Sequence, residues 1–211
     1  MLKKDDLTQY PTIPALVGKD VYLRIMTPEE QALTYMWHLH SDPQTQMSRQ
    51  IRLVTPADMV EAAKKREKTP NESDFLIVRK EDNQPVGKIR YFNLNMLNRS
   101  VELGYIVAPD ERKKGYGKDG LRLLIRYLFI YFNLNRIYAQ TAAFNEASVK
   151  LLKSLDFKLE GTLRQHHYFK GNLHDDLIFS LLKFECGYVN EPSAPFQRVN
   201  DFLKPTNPKS D

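Results

Sequence analysis

Cysteine is almost absent from this chain: Cys186 is the only one in 211 residues. A single thiol excludes an internal disulfide framework and any cysteine-based zinc cluster, and it suits a reducing compartment such as the cytoplasm. Histidine is scarce too. Of the 5 present, His38 and His40 stand two apart, on different faces of a helix, which argues against a metal pair. Long apolar runs are missing. The longest, "LLIRYLFIYFNL", follows Arg122, is broken by Arg126 and is too short to span a bilayer. The opening "MLKKDDLTQYPTIP" has two lysines with no apolar core behind them, so no signal peptide is expected. Neither charge sign dominates. The 31 basic and 26 acidic residues leave +5, enough to favour an anionic ligand but too little to demand nucleic acid. No internal repeat is found.

What remains is an ordinary globular composition, 42% hydrophobic and 27% charged, long enough for one domain with a full core. Residues 1–20 read as an irregular lead-in, 21–185 as the domain and 186–211 as a polar, proline-containing tail. "DVYLRIM" alternates like a strand. Thr27-Pro28-Glu29-Glu30 and Thr55-Pro56 each open a helix with a cap residue and a proline at the first position. Between the two helices, Ser41 to Val54 reads as a loop near the substrate entrance. "DFLIVRK", "PVGKIRYFNL" and "SVELGYIVA" follow with short turns and predict antiparallel hairpins. Leu121, Leu124, Ile125, Leu128 and Phe129, spaced by threes and fours, predict a helix. A strand "RIYAQTA", a capped helix "NEASVKLLKSLD" and two final strands complete the chain. This order gives an α/β fold of the α+β type, with a mixed, mostly antiparallel sheet flanked by helices on both faces.

The stretch "ERKKGYGKDGL" carries the chemistry. Gly115, Gly117 and Gly120 satisfy G-x-G-x-x-G, the spacing of a dinucleotide-binding turn. That turn should follow a buried parallel strand and have an acid about 20 residues on. Here it follows antiparallel strands, six residues separate strand and glycine, and "RIYAQTA" contains no acid. A Walker loop fails because Lys118 precedes Asp119 rather than Ser or Thr. The physics common to both motifs survives: a glycine turn converging amides on a helix N-terminus, ready for phosphate. A plain glycine turn ringed by solvated lysines is the alternative.

"GYIVAPDERKKGYGKDGL" resembles the acetyl-coenzyme A motif of the GNAT superfamily of N-acetyltransferases: Arg or Gln, two residues, Gly, one residue, Gly or Ala, matched by Arg112, Gly115 and Gly117. "NRIYAQTAAFNEASVKLLKSLDFKLEG" resembles the family's second block, with Asn145, Ser148 and a closing Leu155-Asp156-Phe157. "GTLRQHHYFKGNLHDDLIFSLL" continues in the style of ribosomal-protein N-terminal and polyamine acetyltransferases. The resemblance runs from about Val21 to Phe184 and is strongest after Glu102.

The resemblance implies a GNAT-like sheet and acyl transfer from acetyl-CoA to an amine, with no metal. Arg112, Lys113, Lys114 and Lys118 would face the phosphates, with the amides from Lys113 through Gly115, Tyr116 and Gly117 to Lys118 holding the pyrophosphate. The backbone of Tyr105, Ile106 and Val107 would pair with the pantetheine arm. Glu102, sharing a strand face with Gly104 and Ile106, is either the base that frees the amine or a solvated carboxylate. His167 is either a second base or a structural histidine, with His166 directed to the opposite face. Ser148 fits the position from which ribosomal-type enzymes protonate the leaving thiolate, whereas Leu152 stands where many relatives have tyrosine. Asn145 caps its helix and also suits a cofactor contact. Tyr35 and Trp37 read as core or cleft wall. The expected acceptor is a peptide α-amine; a polyamine, an amino sugar or an aminated antibiotic is the rival, and a non-catalytic coenzyme A sensor is a third reading. Asp42 alone against Arg49 and Arg52 in the entrance loop weakens polyamine. No membrane or direct nucleic-acid partner is expected, and a homodimer is left open.

Overall fold

Two threonines set the first helices. In the computed structural model, which describes residues 14–39, 54–66 and 71–190, Thr27 Oγ1 accepts the Glu30 amide at 3.2 Å while Glu30 Oε2 accepts the Thr27 amide at 3.0 Å. Thr55 and Asp58 make the same reciprocal pair. These capping boxes satisfy amides that a helix start leaves orphaned, and they open α1 (Pro28–Leu39) and α2 (Pro56–Arg66) where the sequence predicts. Most of the lead-in (1–13), the entrance loop (40–53), the end predicted for α2 (67–70) and most of the tail (191–211) lie outside the described residues, as do the side chains of His38 and His40.

The strands are β1 (Leu16–Val17), β2 (Val21–Ile25), β3 (Ser73–Arg79), β4 (Pro85–Asn95), β5 (Ser100–Val107), β6 (Arg136–Ala142), β7 (Lys158–Phe169) and β8 (Asn172–Leu182). They form one sheet in the order β1-β2-β3-β4-β5-β6-β8-β7. Only β5 and β6 run parallel; the other neighbours are antiparallel. Between β5 and β6 the chain crosses over through α3 (Tyr116–Tyr131), and α4 (Glu146–Lys153) joins β6 to β7. The mixed, mostly antiparallel sheet with helices on both faces is as the element order predicts.

Helix α3 buries the apolar stripe read from its spacing: Leu121, Leu124, Ile125, Leu128 and Phe129 are all fully buried. They pack with Ile77, Ile89, Val101, Leu103 and Ile137 from one face of the sheet, and Leu152 of α4 joins them. On the opposite face Tyr22, Leu76 and Val78 pack with Met26, just before α1, and with Trp37 of α1. Consecutive strand residues thus go to different layers.

Both margins of the domain reach beyond the expected 21–185. Strand β1 lies in the stretch read as lead-in, paired Leu16↔Leu23 and Val17↔Tyr22. At the other end Cys186 and Tyr188 are buried in the main core. The Tyr188 hydroxyl donates to Leu155 O, and Arg122 lies 4.5 Å over its ring. An aromatic with a hydrogen-bonded hydroxyl is worth burying, and that holds residues 186–190 against the fold. Among the described residues no helix is long and apolar enough to cross a membrane.

Candidate active site

A slot opens where β5 and β6 part. Parallel pairing covers only Ser100↔Arg136, Val101↔Ile137 and Glu102↔Tyr138. Beyond that point β5 stays with β4 as far as Val107↔Gly87, and β6 stays with β8 as far as Ala142↔Asp176. The Ala108 amide donates to Val86 O at 2.9 Å. By antiparallel alternation Ile106 and Gly104 then turn their backbone groups to β4, while Leu103, Tyr105 and Val107 turn theirs to the slot. Tyr105 and Val107 are therefore placed to pair with an extended ligand through the backbone. Ile106 is not, and Leu103 takes its place in the row.

At the outer end of β5, the 3₁₀ turn Pro109–Glu111 leads into the glycine loop. Lys113 (φ 62°) and Gly115 (φ 89°) both adopt left-handed backbone, which brings the loop round to the N-terminus of α3. The Lys118 amide already donates to Gly115 O at 3.0 Å, whereas the Tyr116 and Gly117 amides have no helical acceptor, and the helix dipole favours an anion there. A Cβ on Gly117 would stand 2.9 Å from Val107 Cγ2, so this glycine lets α3 begin against the slot-lining strand. Arg112 Nε donates to Val107 O at 3.3 Å. Glu111 takes ion pairs from Lys114 at 3.0 Å and Arg79 at 2.9 Å, and these cations hold its carboxyl below the usual range, Lys114 first. Arg79 also lies 5.8 Å over the Tyr116 ring. Lys113 is exposed and Lys118 half-buried.

The remaining residues of the glycine motif build structure. Asp119 Oδ2 accepts the amides of Asp20 and Val21 at 3.0 and 3.3 Å, tying α3 to the start of β2. A Cβ on Gly120 would stand 3.1 Å from Ile89 Cδ1, so the third glycine serves close helix–sheet packing rather than phosphate.

On the α3–α4 side, the Tyr105 hydroxyl lies 2.6 Å from Ser148 Oγ. Asn145 Oδ1 accepts the Ser148 amide at 3.2 Å and caps α4. Burial pushes the Tyr105 phenol up to about 12, against the opposing pull of the Ser148 hydrogen bond. At neutral pH it is a protonated donor. The sequence showed Tyr105 only as backbone; its hydroxyl bridges β5 to α4. Leu152 is buried in the core and lines no part of the slot.

The opposite face, shared with α1, carries a polar row. Glu102 sits at the apex of the slot. A bulge in β4 between Phe92 and Asn95 puts Asn93 in left-handed backbone (φ 54°), and its Nδ2 donates to Glu102 Oε2 at 2.9 Å. Bulges re-aim side chains in this way. Tyr138, opposite Glu102 on β6, has its phenol raised by burial and then by the Glu102 charge. Two residues along β6, Gln140 Nε2 donates to Asp176 Oδ2 at 2.7 Å.

The histidines depart from the expected alternation. The β7–β8 register shifts between Leu163 and His167, and Gln165 adopts left-handed backbone (φ 52°), with its amide bonded to Asp175 Oδ1 at 2.9 Å. The extra residues bring both rings onto one carboxylate: His166 Nδ1 lies 2.9 Å from Asp176 Oδ2 and His167 Nδ1 3.2 Å from Oδ1. His166 is therefore not directed to the opposite face. Its side chain is 49% exposed, against 4% for His167 and 1% for Asp176. His167 packs edge-on to Phe144 at 5.3 Å. Asn93, Tyr138, Gln140 and Asp176 were not singled out from sequence. The polar members of "RIYAQTA", alternating with Ile137 and Ala139, were the available signal for two of them. Among the described residues no group of three or more His, Cys, Asp or Glu is arranged so that it could hold a metal ion.

The family model described as "Acetyltransferase (GNAT) domain" matches residues 20–158. The chain is 39% identical over 111 residues to the uncharacterized N-acetyltransferase p20 of Bacillus licheniformis, covering 53% of this chain and 62% of that protein. It is 36% identical over 104 residues to the putative ribosomal N-acetyltransferase YdaF of Bacillus subtilis (strain 168), covering 49% and 57%. The aligned stretch thus spans about three fifths of the length of these relatives. The spermidine N-acetyltransferase of Vibrio cholerae, solved in complex with CoA and spermine, superposes with a TM-score of 0.73 at 20% identity, covering 79% of this chain and 97% of that one. At that identity the likeness shows the fold.

Proposed function

The chain belongs to the GNAT acetyltransferase family, and from that premise we propose that it transfers the acetyl group of acetyl-CoA to a primary amine, a peptide α-amine first. The observation that carries this reading is the parting of β5 from β6 after Glu102↔Tyr138, with an open backbone edge leading to the N-terminus of α3. That edge and that helix start fit a ligand with an amide-bearing arm and a phosphate end. Acetyl-CoA would supply the activated thioester. The loop amides from Lys113 to Gly117, with Arg112 and the Lys118 side chain, would hold the phosphates, and Leu103, Tyr105 and Val107 the arm; the Lys118 amide is taken by Gly115 O.

Glu102 attracts and orients the incoming ammonium at the apex, with Asn93 fixing its carboxylate. A free alkylamine has a pKa near ~10.4, so the acceptor arrives protonated and a base on the same face has to free it. Ser148, oriented by Tyr105 and Asn145, is the proton donor to the leaving sulfur. Cys186 is buried in the core and unsuited to carry an acyl group, so direct attack within a ternary complex is the expected route.

The acids of the acceptor side support an α-amine over a polyamine. Asp74 is paired with Lys88 at 2.9 Å and Glu72 with Arg90. Carboxylates already occupied in this way favour an acceptor with one positive charge at the slot. A single free thiol and no membrane-length helix among the described residues suit a cytoplasmic enzyme.

Thiol release from acetyl-CoA across peptides, spermidine and amino sugars tests the proposal, with peptides expected to react fastest. Tight coenzyme A binding without thiol release from any amine would favour the sensor. Ser148→Ala separates the acid step. A thiol titrates near ~8.5, so its anion leaves readily at neutral pH and the donor is worth little. The variant is expected to lose about tenfold in kcat, less than the ~100-fold at which acid–base catalysis usually begins, with KM for acetyl-CoA unchanged.

A further inference from the structure

We infer that His166, oriented by Asp176 and not equivalent to His167, takes the proton from the acceptor amine. This rests on the acetyl-transfer reading above. Two lone pairs repel, so the 2.9 Å approach of His166 Nδ1 to Asp176 Oδ2 requires a proton between them, and a carboxylate leaves that proton on Nδ1. The ring is then the Nδ1–H tautomer, with the basic lone pair on Nε2. Gln140 Nε2 donates to the same oxygen at 2.7 Å and keeps the carboxylate in place; it lies 3.2 Å from His166 Nδ1, farther than either nitrogen is from Oδ2, so both N–H groups converge on the carboxylate rather than on each other. A buried carboxylate that fixes a ring's tautomer and offsets the charge it gains is the arrangement a histidine base needs.

His167 lacks these features. Its Nδ1 stands 3.2 Å from Oδ1, yet that oxygen has no partner with hydrogen-bond geometry. Its ring is almost wholly covered and packed edge-on to Phe144. His166 is half-exposed on the face that carries Glu102. Gln140, its neighbour, is two residues along β6 from Tyr138, which adjoins Glu102; two strand residues are ~7 Å, so the proton would pass from slot to ring along a chain of waters.

The step balances simply. An N–H bond of the acceptor ammonium breaks and an Nε2–H bond forms. The electron pair freed on nitrogen makes the new N–C bond, and the thioester C–S bond breaks with its pair going to sulfur. Ser148 protonates that sulfur and regains its proton from solvent, and the nitrogen gives its second proton to solvent. The imidazolium then returns its proton to solvent. Among the described residues, the titratable groups at His166 are Asp176 from β8 and, on the same carboxylate, His167 of its own strand; Tyr138 and Glu102 lie farther along the same sheet face, on β6 and β5. Asp175 holds the Gln165 bulge.

The test is His166→Ala in the full chain, assayed by thiol release with a peptide amine across pH. The expected result is a fall of about 100-fold in kcat/KM for the amine, loss of the acidic limb of the pH profile, an unchanged dissociation constant for coenzyme A, and partial recovery on adding free imidazole. His166→Gln, whose larger side chain fills the vacated space, should show the same loss without recovery. Activity within twofold of wild type across pH would overturn the inference. So would a loss that imidazole does not restore and that comes with weakened coenzyme A binding, the mark of a structural role. Wild-type protein releasing no thiol with any amine would instead overturn the acetyl-transfer reading, and this inference with it.

Discussion

Gly117→Asp is expected to raise the dissociation constant for coenzyme A about a thousandfold while the protein still folds. Two unit charges of like sign about 4 Å apart repel by ~4 kcal/mol at the effective dielectric of a protein surface, and each ~1.4 kcal/mol is tenfold in affinity. The added Cβ, 2.9 Å from Val107 Cγ2, also presses α3 away from the strand that lines the slot. The stability terms nearly offset one another. Overpacking costs ~1–3 kcal/mol, whereas replacing a helical glycine recovers ~0.5–1 kcal/mol and an acid in the first helical turn contributes ~0.3–1 kcal/mol. Titration calorimetry beside a thermal melt separates the two effects. An unchanged dissociation constant in a folded variant would remove the loop from the binding site.

Glu102→Gln is expected to lower kcat/KM for the amine about 100-fold and leave coenzyme A affinity untouched. Glutamine keeps the shape and still accepts from Asn93, so the loss isolates the charge. A hydrogen bond to a charged group is worth ~1.5–3 kcal/mol, and Glu102 is partly exposed, which sets the lower part of that range at high salt. Steady-state kinetics at two ionic strengths check this. A variant with full amine efficiency at low salt would make Glu102 a bystander at the strand edge.

Much of the fold could be read from local chemistry. Thr27 and Thr55 announced their helices because an N-cap is a short-range interaction, and the α3 stripe appeared because helical periodicity is unbroken over Leu121 to Phe129. The glycine turn at the start of α3 was legible for the same reason: Gly115 needs a positive φ and Gly117 a close approach. Gly120 looked like part of the motif because close packing on Ile89 selects the same residue as phosphate binding.

The acceptor side was harder to read. Strand alternation predicts opposite faces for His166 and His167, and it fails at a bulge whose left-handed residue is Gln165 rather than the glycine or asparagine that would mark it. Asn93 carries such a mark, but its contact with Glu102 depends on strand pairing. Asp176 sits in an Asp-Asp pair that gives no hint of which carboxylate is buried; only the β6–β8 register decides it. Cys186 and Tyr188 show an apolar spacing of two that the surrounding polar composition obscured.

The most direct test of the central claim uses one peptide in two forms, identical except that the α-amine is free in one and blocked in the other. Thiol release from acetyl-CoA is followed with wild-type protein, and the peptide mass is read afterwards. The account predicts release with the free peptide and one acetyl group on its terminal nitrogen, and none with the blocked form. Tight coenzyme A binding with no release from either form, while spermidine reacts or no amine does, would contradict it.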